Sequence, residues 1–172
     1  MKYKDKDKRD KVKEIPKTVG EMTFRTLGGE KPVELVAHLK EKIGDRKDVS
    51  IYLGTDSQNV ASRTIYALVV VLHYGNNGAH VVYAKNKFDR IADGFTRLWK
   101  EVEMTIELAE FLKEAGIQKP KFIDLDFNPD PYFRSNQVLR AALGYVESMG
   151  YTPRCKPDAV SASYVADKIC NK

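Results

Sequence analysis

The chain has 172 residues, 42% hydrophobic and 31% charged, which is enough for one domain with a buried core. No apolar run approaches the roughly 20 residues that cross a bilayer, and the opening MKYKDKDKRDKVKEIPK lacks the apolar centre of a secretory signal. A cytoplasmic protein without a membrane role is therefore expected, its Cys155 and Cys170 reduced and at a spacing that fits no zinc motif. The net charge of +5 sits mostly in residues 1–17, where eight Lys/Arg meet four Asp/Glu. That stretch reads as a solvated tail ahead of a single domain at 18–172, which is nearly neutral, so charge alone does not argue for a nucleic-acid partner.

Residues 18–30 read as irregular and close on Gly28 and Gly29. A helix is expected from Pro32 at its first position to the stop at Gly44, with Val36, Leu39 and Ile43 on one face. Three strands follow, Ser50–Gly54, Thr64–Tyr74 and Ala79–Lys87, the last two joined by the hairpin-turn sequence GNNG. The period then changes to 3.6: GFTRLWKEVEMTIELAEFLKEAG places Leu98, Val102, Thr105, Ile106, Ala109 and Leu112 on one face and ends at Gly116. KPKFIDLDF reads as a buried strand, NPDP as a loop, and Ser135–Met149 as a helix with Ser135 as N-cap and Val138, Leu139, Ala142, Leu143 and Val146 turned to the core. A short strand YTPRCK precedes a small-sided last helix from Pro157 or Asp158 to Cys170. The order predicts an α/β fold with a mixed five-stranded sheet: an antiparallel meander of strands 1–3, then parallel strands 4 and 5, with helices packed on both faces.

Asp56 follows the first strand, and Asp124 and Asp126 end the fourth. If those strands are parallel neighbours, their carboxyl ends coincide where open α/β sheets bind ligands. A turn role for Asp56 is the plainer reading of that residue in isolation. In KFIDLDF the period of two puts Asp124 and Asp126 on one face, and Asp124 lies deeper in the strand. Glu101 flanks the apolar face of the long helix, whereas Glu103 and Glu107 point further toward water. Asp158 opens the last helix, where a carboxylate is favoured in any case by the free N–H groups, and Asp167 lies about two and a half turns on. Four such carboxylates on a rigid scaffold suit Mg²⁺ or Mn²⁺, two ions of which can activate water and stabilise the leaving oxygen of a phosphodiester. Ser57, Gln58 and Arg97 are candidate contacts to a substrate backbone. His38, His73 and His80 form no ligand spacing, and Trp99 is expected to pack rather than stack on bases.

The stretches YLGTDSQ (52–58), RLWKEVEMTIELAEFL (97–112), FIDLDFNP (122–129) and KPDAVSASYVADKI (156–169) together resemble the YkuK-like family of the ribonuclease H-like superfamily, over about residues 20–170. The resemblance implies a ribonuclease H-like, divalent-metal-dependent nuclease acting on RNA, DNA or a hybrid. It puts the metal-binding and catalytic acids on Asp56, Glu101, Asp124 and Asp158, with Glu103, Asp126 and Asp167 as the competing positions. RuvC-type relatives commonly place another acid three residues after the last-helix Asp, and here that position is Ser161. The alternative expectation is an inactive ribonuclease H-like binding or scaffold domain. The DLD motif resembles that of aspartyl-phosphate phosphatases, but it follows a meander rather than opening a doubly wound domain. GTDSQ resembles the phosphate loop of actin-like ATPases, whose paired domains need a longer chain.

Overall fold

The computed structural model describes residues 18–29, 31–133, 135–159 and 162–170; the charged tail at 1–17 lies outside them. A seven-stranded mixed sheet runs through the described residues. Its strands are β1 (Phe24–Thr26), β2 (Pro32–Val33), β3 (Val49–Val60), β4 (Arg63–Tyr74), β5 (Ala79–Asp89), β6 (Phe122–Leu125) and β7 (Pro153–Cys155), in the order β2-β1-β5-β4-β3-β6-β7. The expected meander, β3-β4-β5, is antiparallel throughout, and β6 and β7 add to it in parallel.

The expectation of five strands is corrected to seven. Two short strands, β1 and β2, extend the β5 edge, with Phe24 opposite Ala84 and Val33 opposite Phe24. Pro32 therefore opens an edge strand rather than a helix, a position where its missing N–H is tolerated. Helix α1 (Leu35–Ile43) begins after Glu34, whose carboxylate accepts from the Val36 and Ala37 N–H groups.

Helices α2 (Gly94–Glu114) and α3 (Asn136–Ser148) match their expected spans closely, and Asp93 caps α2 by accepting from Thr96. Ser135 makes no cap bond to α3; its hydroxyl accepts from the Asn128 N–H instead and pins the preceding loop. The last helix, α4, is described over Ala162–Cys170. Residues 156–158 form a turn, so Asp158 stands ahead of the helix, exposed, not at its first turn.

Two cores flank the sheet. One packs Leu53, Leu68, Leu72 and Val82 under α1, α2 and α3 through Leu39, Val102, Leu108, Leu112, Val138 and Val146. The other packs Tyr52, Ala67, Val69 and Val71 under α4 through Ala162, Ala166 and Ile169. Small side chains let α4 come close. A Cβ built at Gly54 would lie 2.9 Å from the Ala162 Cβ and 3.1 Å from the Asp124 carbonyl oxygen. Gly54→Ala should therefore cost about 1–3 kcal/mol, measured by denaturant unfolding. Pairing it with Ala162→Gly should recover part of the loss, and a neutral single variant would contradict the close approach.

His38 and His80 join α1 to β5 through an Nε2···Nε2 hydrogen bond of 2.8 Å, an interaction that the sequence reading of isolated histidines did not include. Burial, with His38 and Lys42 alongside, pushes His80 below the ordinary histidine range. The unfolded chain then binds the His80 proton first as pH falls, so the contribution of neutral His80 is complete above the unfolded value of about 6.5 and is lost below it. Replacing His80 with Asn should flatten stability against pH between about 7 and 5 relative to the parent. Parallel curves for the two proteins would refute the assignment.

Candidate functional site

Strand β3 is the hinge of the site because β4 and β6 flank it and helices cover both of its faces. The strand continues through Asp56 to Val60, so Asp56 lies within the ladder opposite Ala67 and not in a turn. The parallel register sets Gly54 beside Asp124 and Thr55 beside Leu125, which makes Asp126 the next position level with Asp56. On the other face Ser57 and Thr55 meet α2. The Ser57 hydroxyl donates to Glu101 Oε1 at 2.5 Å, and Thr55 and Thr105 join through hydroxyls 2.7 Å apart while Thr105 donates to the Glu101 carbonyl.

Glu101 is buried, at 2% exposure, as the helix-flank reading required. Burial first, then the charge of Asp56, pushes its carboxyl well above the usual range. Arg97, one turn earlier, donates from Nη1 to the Ser57 carbonyl (2.6 Å) and hydroxyl (2.5 Å) and lies 3.6 Å from Glu101. Ser57 is thus a buried link between Arg97 and Glu101 rather than a solvent-facing contact, and Gln58 is half-buried beyond it. Asp56 is raised to about 6 by burial, then by the charges of Asp126 and Asp167, against the Ser57 N–H and Arg97. Cys170 closes the underside: its thiol donates to the Asp56 carbonyl at 3.2 Å and is pushed up to about 12 by burial.

Of the acids expected here, Asp56 and Glu101 share one electrostatic neighbourhood, and Asp126 and Asp167 belong to it. Asp124 is engaged elsewhere. Fully buried, it accepts from Arg154 Nε and Nη2 at 2.8 and 3.0 Å and from the Ala162 N–H at 2.9 Å, tying β6 to β7 and to α4. The guanidinium of Arg154 lies over the rings of Tyr52 and Phe122, with centroids at 5.0 and 4.6 Å. Asp126 is bridged by Lys156 at 2.7 Å. The sequence reading missed both partners, although a signal was present in the matched patterns Asp-x-Asp at 124–126 and Arg-x-Lys at 154–156; the parallel register of β6 and β7 sets Asp124 opposite Arg154.

Among the described residues, no three Asp, Glu, His or Cys side chains are drawn together closely enough to hold an ion as they stand. The donor set is nonetheless of the right kind for a hard divalent cation: carboxylate oxygens, two of which, on Asp56 and Glu101, are pushed above their ordinary range by burial and by neighbouring acids. No described helix is long and apolar enough to cross a membrane.

The model of the family described as Ribonuclease H-like matches residues 34–171. The chain belongs to that family. This is the YkuK-like family that the four motifs resemble, and the mixed sheet with helices on both faces is consistent with a ribonuclease H-like fold. Membership makes the chain a nuclease-like or nucleic-acid-related domain. No curated protein and no solved structure matches it.

Proposed function

We propose that this ribonuclease H-like chain is a divalent-metal-dependent nuclease that hydrolyses phosphodiester bonds in RNA or DNA. The acids we assign to the metal are Asp56, Glu101, Asp126 and Asp167, replacing Asp124 and Asp158 of the sequence expectation. The observation that carries this choice is the shared field: Asp126 and Asp167 both raise Asp56, while Asp124 is committed to Arg154 and Ala162, and Asp158 is exposed ahead of α4. Mg²⁺ or Mn²⁺, in one or two ions, would lower the pKa of a bound water and stabilise the leaving oxygen.

The chain's own residues prepare that chemistry. Burial keeps Glu101 and Asp56 inclined to hold protons, so these two carboxyls would have to give them up to hold a cation. Ser57 and Arg97 fix the Glu101 carboxyl from one side, and Arg97 offers a cation to an incoming phosphate if it releases Ser57. Lys156 must likewise swing from Asp126, and its exposed stem permits this.

Those two cations support a second reading, in which Arg97 and Lys156 neutralise the acids permanently and the domain binds or scaffolds without cutting. One experiment separates the readings. Purified protein is incubated with single-stranded, duplex, hybrid and branched substrates in Mg²⁺, Mn²⁺ or EDTA. Cleavage in metal but not in EDTA supports the nuclease, and a wholly intact panel supports the scaffold.

A further inference from the structure

Helix α2 runs antiparallel to β3. Its first turns lie over Ser57, and Gln118, just after its end, donates to the Val49 carbonyl at the start of that strand. The beginning of α2 and the loop leaving β6 therefore share the end of the sheet that holds the acids. Exposed side chains gather there. Of the four large aromatics exposed among the described residues, three are Phe95 on α2 and Tyr132 and Phe133 on the loop after β6, with Tyr132 97% exposed.

Scattered exposed apolar residues need no explanation, but these share one end of the sheet and are held in place. Phe95 lies parallel to half-buried Trp99, with centroids 6.2 Å apart. Trp99 packs on Tyr145 and donates its indole N–H to Glu103 at 3.0 Å, so its ring has a fixed direction. In the loop, Asn128 accepts from the Asp130 N–H and Asp130 from the Tyr132 N–H, each at 3.0 Å, and Asn136 donates to the Pro129 carbonyl at 2.7 Å. A loop pinned this firmly, presenting a bare tyrosine ring to water, suits a flat apolar ligand.

Charge narrows the ligand. Residues 90–100, which carry Phe95 and Trp99, hold three Lys/Arg against one Asp, although residues 18–172 are almost neutral. Planar rings beside cations and a carboxylate cluster match unpaired nucleobases on a phosphate backbone, because every base offers a π-face. A duplex hides those faces inside its stack.

We infer that Phe95, Trp99, Tyr132 and Phe133 form a stacking surface for unpaired bases, which makes single-stranded nucleic acid the substrate class of the adjoining site. The inference rests on the nuclease reading for what the site does, and on the aromatic geometry for what it holds.

Trp99 is the chain's sole tryptophan, so its fluorescence reports on this surface directly. Full-length Asp56→Asn protein is titrated with a 12-mer of oligothymidylate, one of oligouridylate, a 12-base-pair duplex and an abasic strand of equal length. Saturable quenching is expected with both single strands, with midpoints at least roughly tenfold below those of the duplex and the abasic strand. The double change Tyr132→Ala, Phe133→Ala should raise the single-strand midpoint by about 5- to 150-fold. Equal binding of duplex or abasic strand, or an unchanged midpoint in the double variant, overturns the inference. So does a concentration-dependent dimer that buries Trp99, which would give the surface to a second copy of the chain. Quenching without cleavage by the unaltered chain would remove the nuclease reading alone; cleavage by a chain whose Trp99 no strand quenches would remove the stacking surface alone.

Discussion

Replacing Asp56 with asparagine should abolish metal-dependent cleavage and, in the absence of metal, make the fold harder to melt at neutral pH. The first effect follows from the proposed role of Asp56 as a metal-binding acid. Losing one preorganised electrostatic group at a reacting centre typically costs about 10²–10³ in rate, and a lost metal ligand should cost at least that. The second effect follows from its carboxyl being raised to about 6, chiefly by burial and then by Asp126. The folded value lies above the unfolded one, so the folded chain holds the proton more tightly. The favourable contribution is complete below about pH 4 and is lost as pH rises through about 6. At pH 7 to 8 the metal-free protein therefore keeps an unfavourable buried charge, which asparagine removes. Thermal unfolding should show the variant with the higher melting temperature at pH 7.5 and the gap closing toward pH 4. Adding Mn²⁺ should raise the melting temperature of the parent by mass action and leave the variant nearly unmoved. A variant that melts earlier than its parent at pH 7.5 would show that Asp56 is a structural residue.

The neighbouring acid should behave in the opposite way. Asp124→Ala is expected to destabilise by about 3–5 kcal/mol, because it leaves the Arg154 guanidinium without its bidentate partner under an aromatic cover. For a chain of this size that corresponds to a fall of roughly 6–20 °C in melting temperature. The Ala162 N–H loses its acceptor in the same step, so α4 should loosen as well. Asp126→Ala breaks only a bridge to a half-exposed lysine, and its stability cost should stay within about 1 kcal/mol. Denaturant unfolding of the two variants side by side is decisive: similar losses would mean that the two carboxylates do not have the separate duties assigned to them.

The meander, α2 and the β6 strand were legible because long periodic segments leave little choice of structure: TIYALVVVLHY can bury both faces only as an inner strand, and α2 carries its apolar stripe for 21 residues. The β1 and β2 strands were not legible, since three- and two-residue edges take their shape from the neighbour they pair with. Asp56 was read as a functional candidate, but as a residue after a strand; that β3 runs on to Val60 depends on the pairing of residues 57–60 with residues 63–66 of β4, which local propensity does not encode. The different engagements of Asp124 and Asp126 were beyond the sequence for a simple reason. A period of two sends both to one face, and the arginine that claims Asp124 lies 30 residues away. The proposed exchange of Asp158 for Asp167 has a similar origin: a carboxylate near a helix start is attractive on local grounds, whereas Asp167 acts on Asp56 only through the docking of α4.

That docking rests on residues with no chemistry of their own. Gly54, Ala162 and Ala166 let α4 settle against β3 with no room for one more methyl at Gly54. The gap between the acid on the helix and the acid on the strand is thus gauged by missing methyl groups rather than by the acids. Enlarging or trimming this seam would change that gap with every carboxylate left in place.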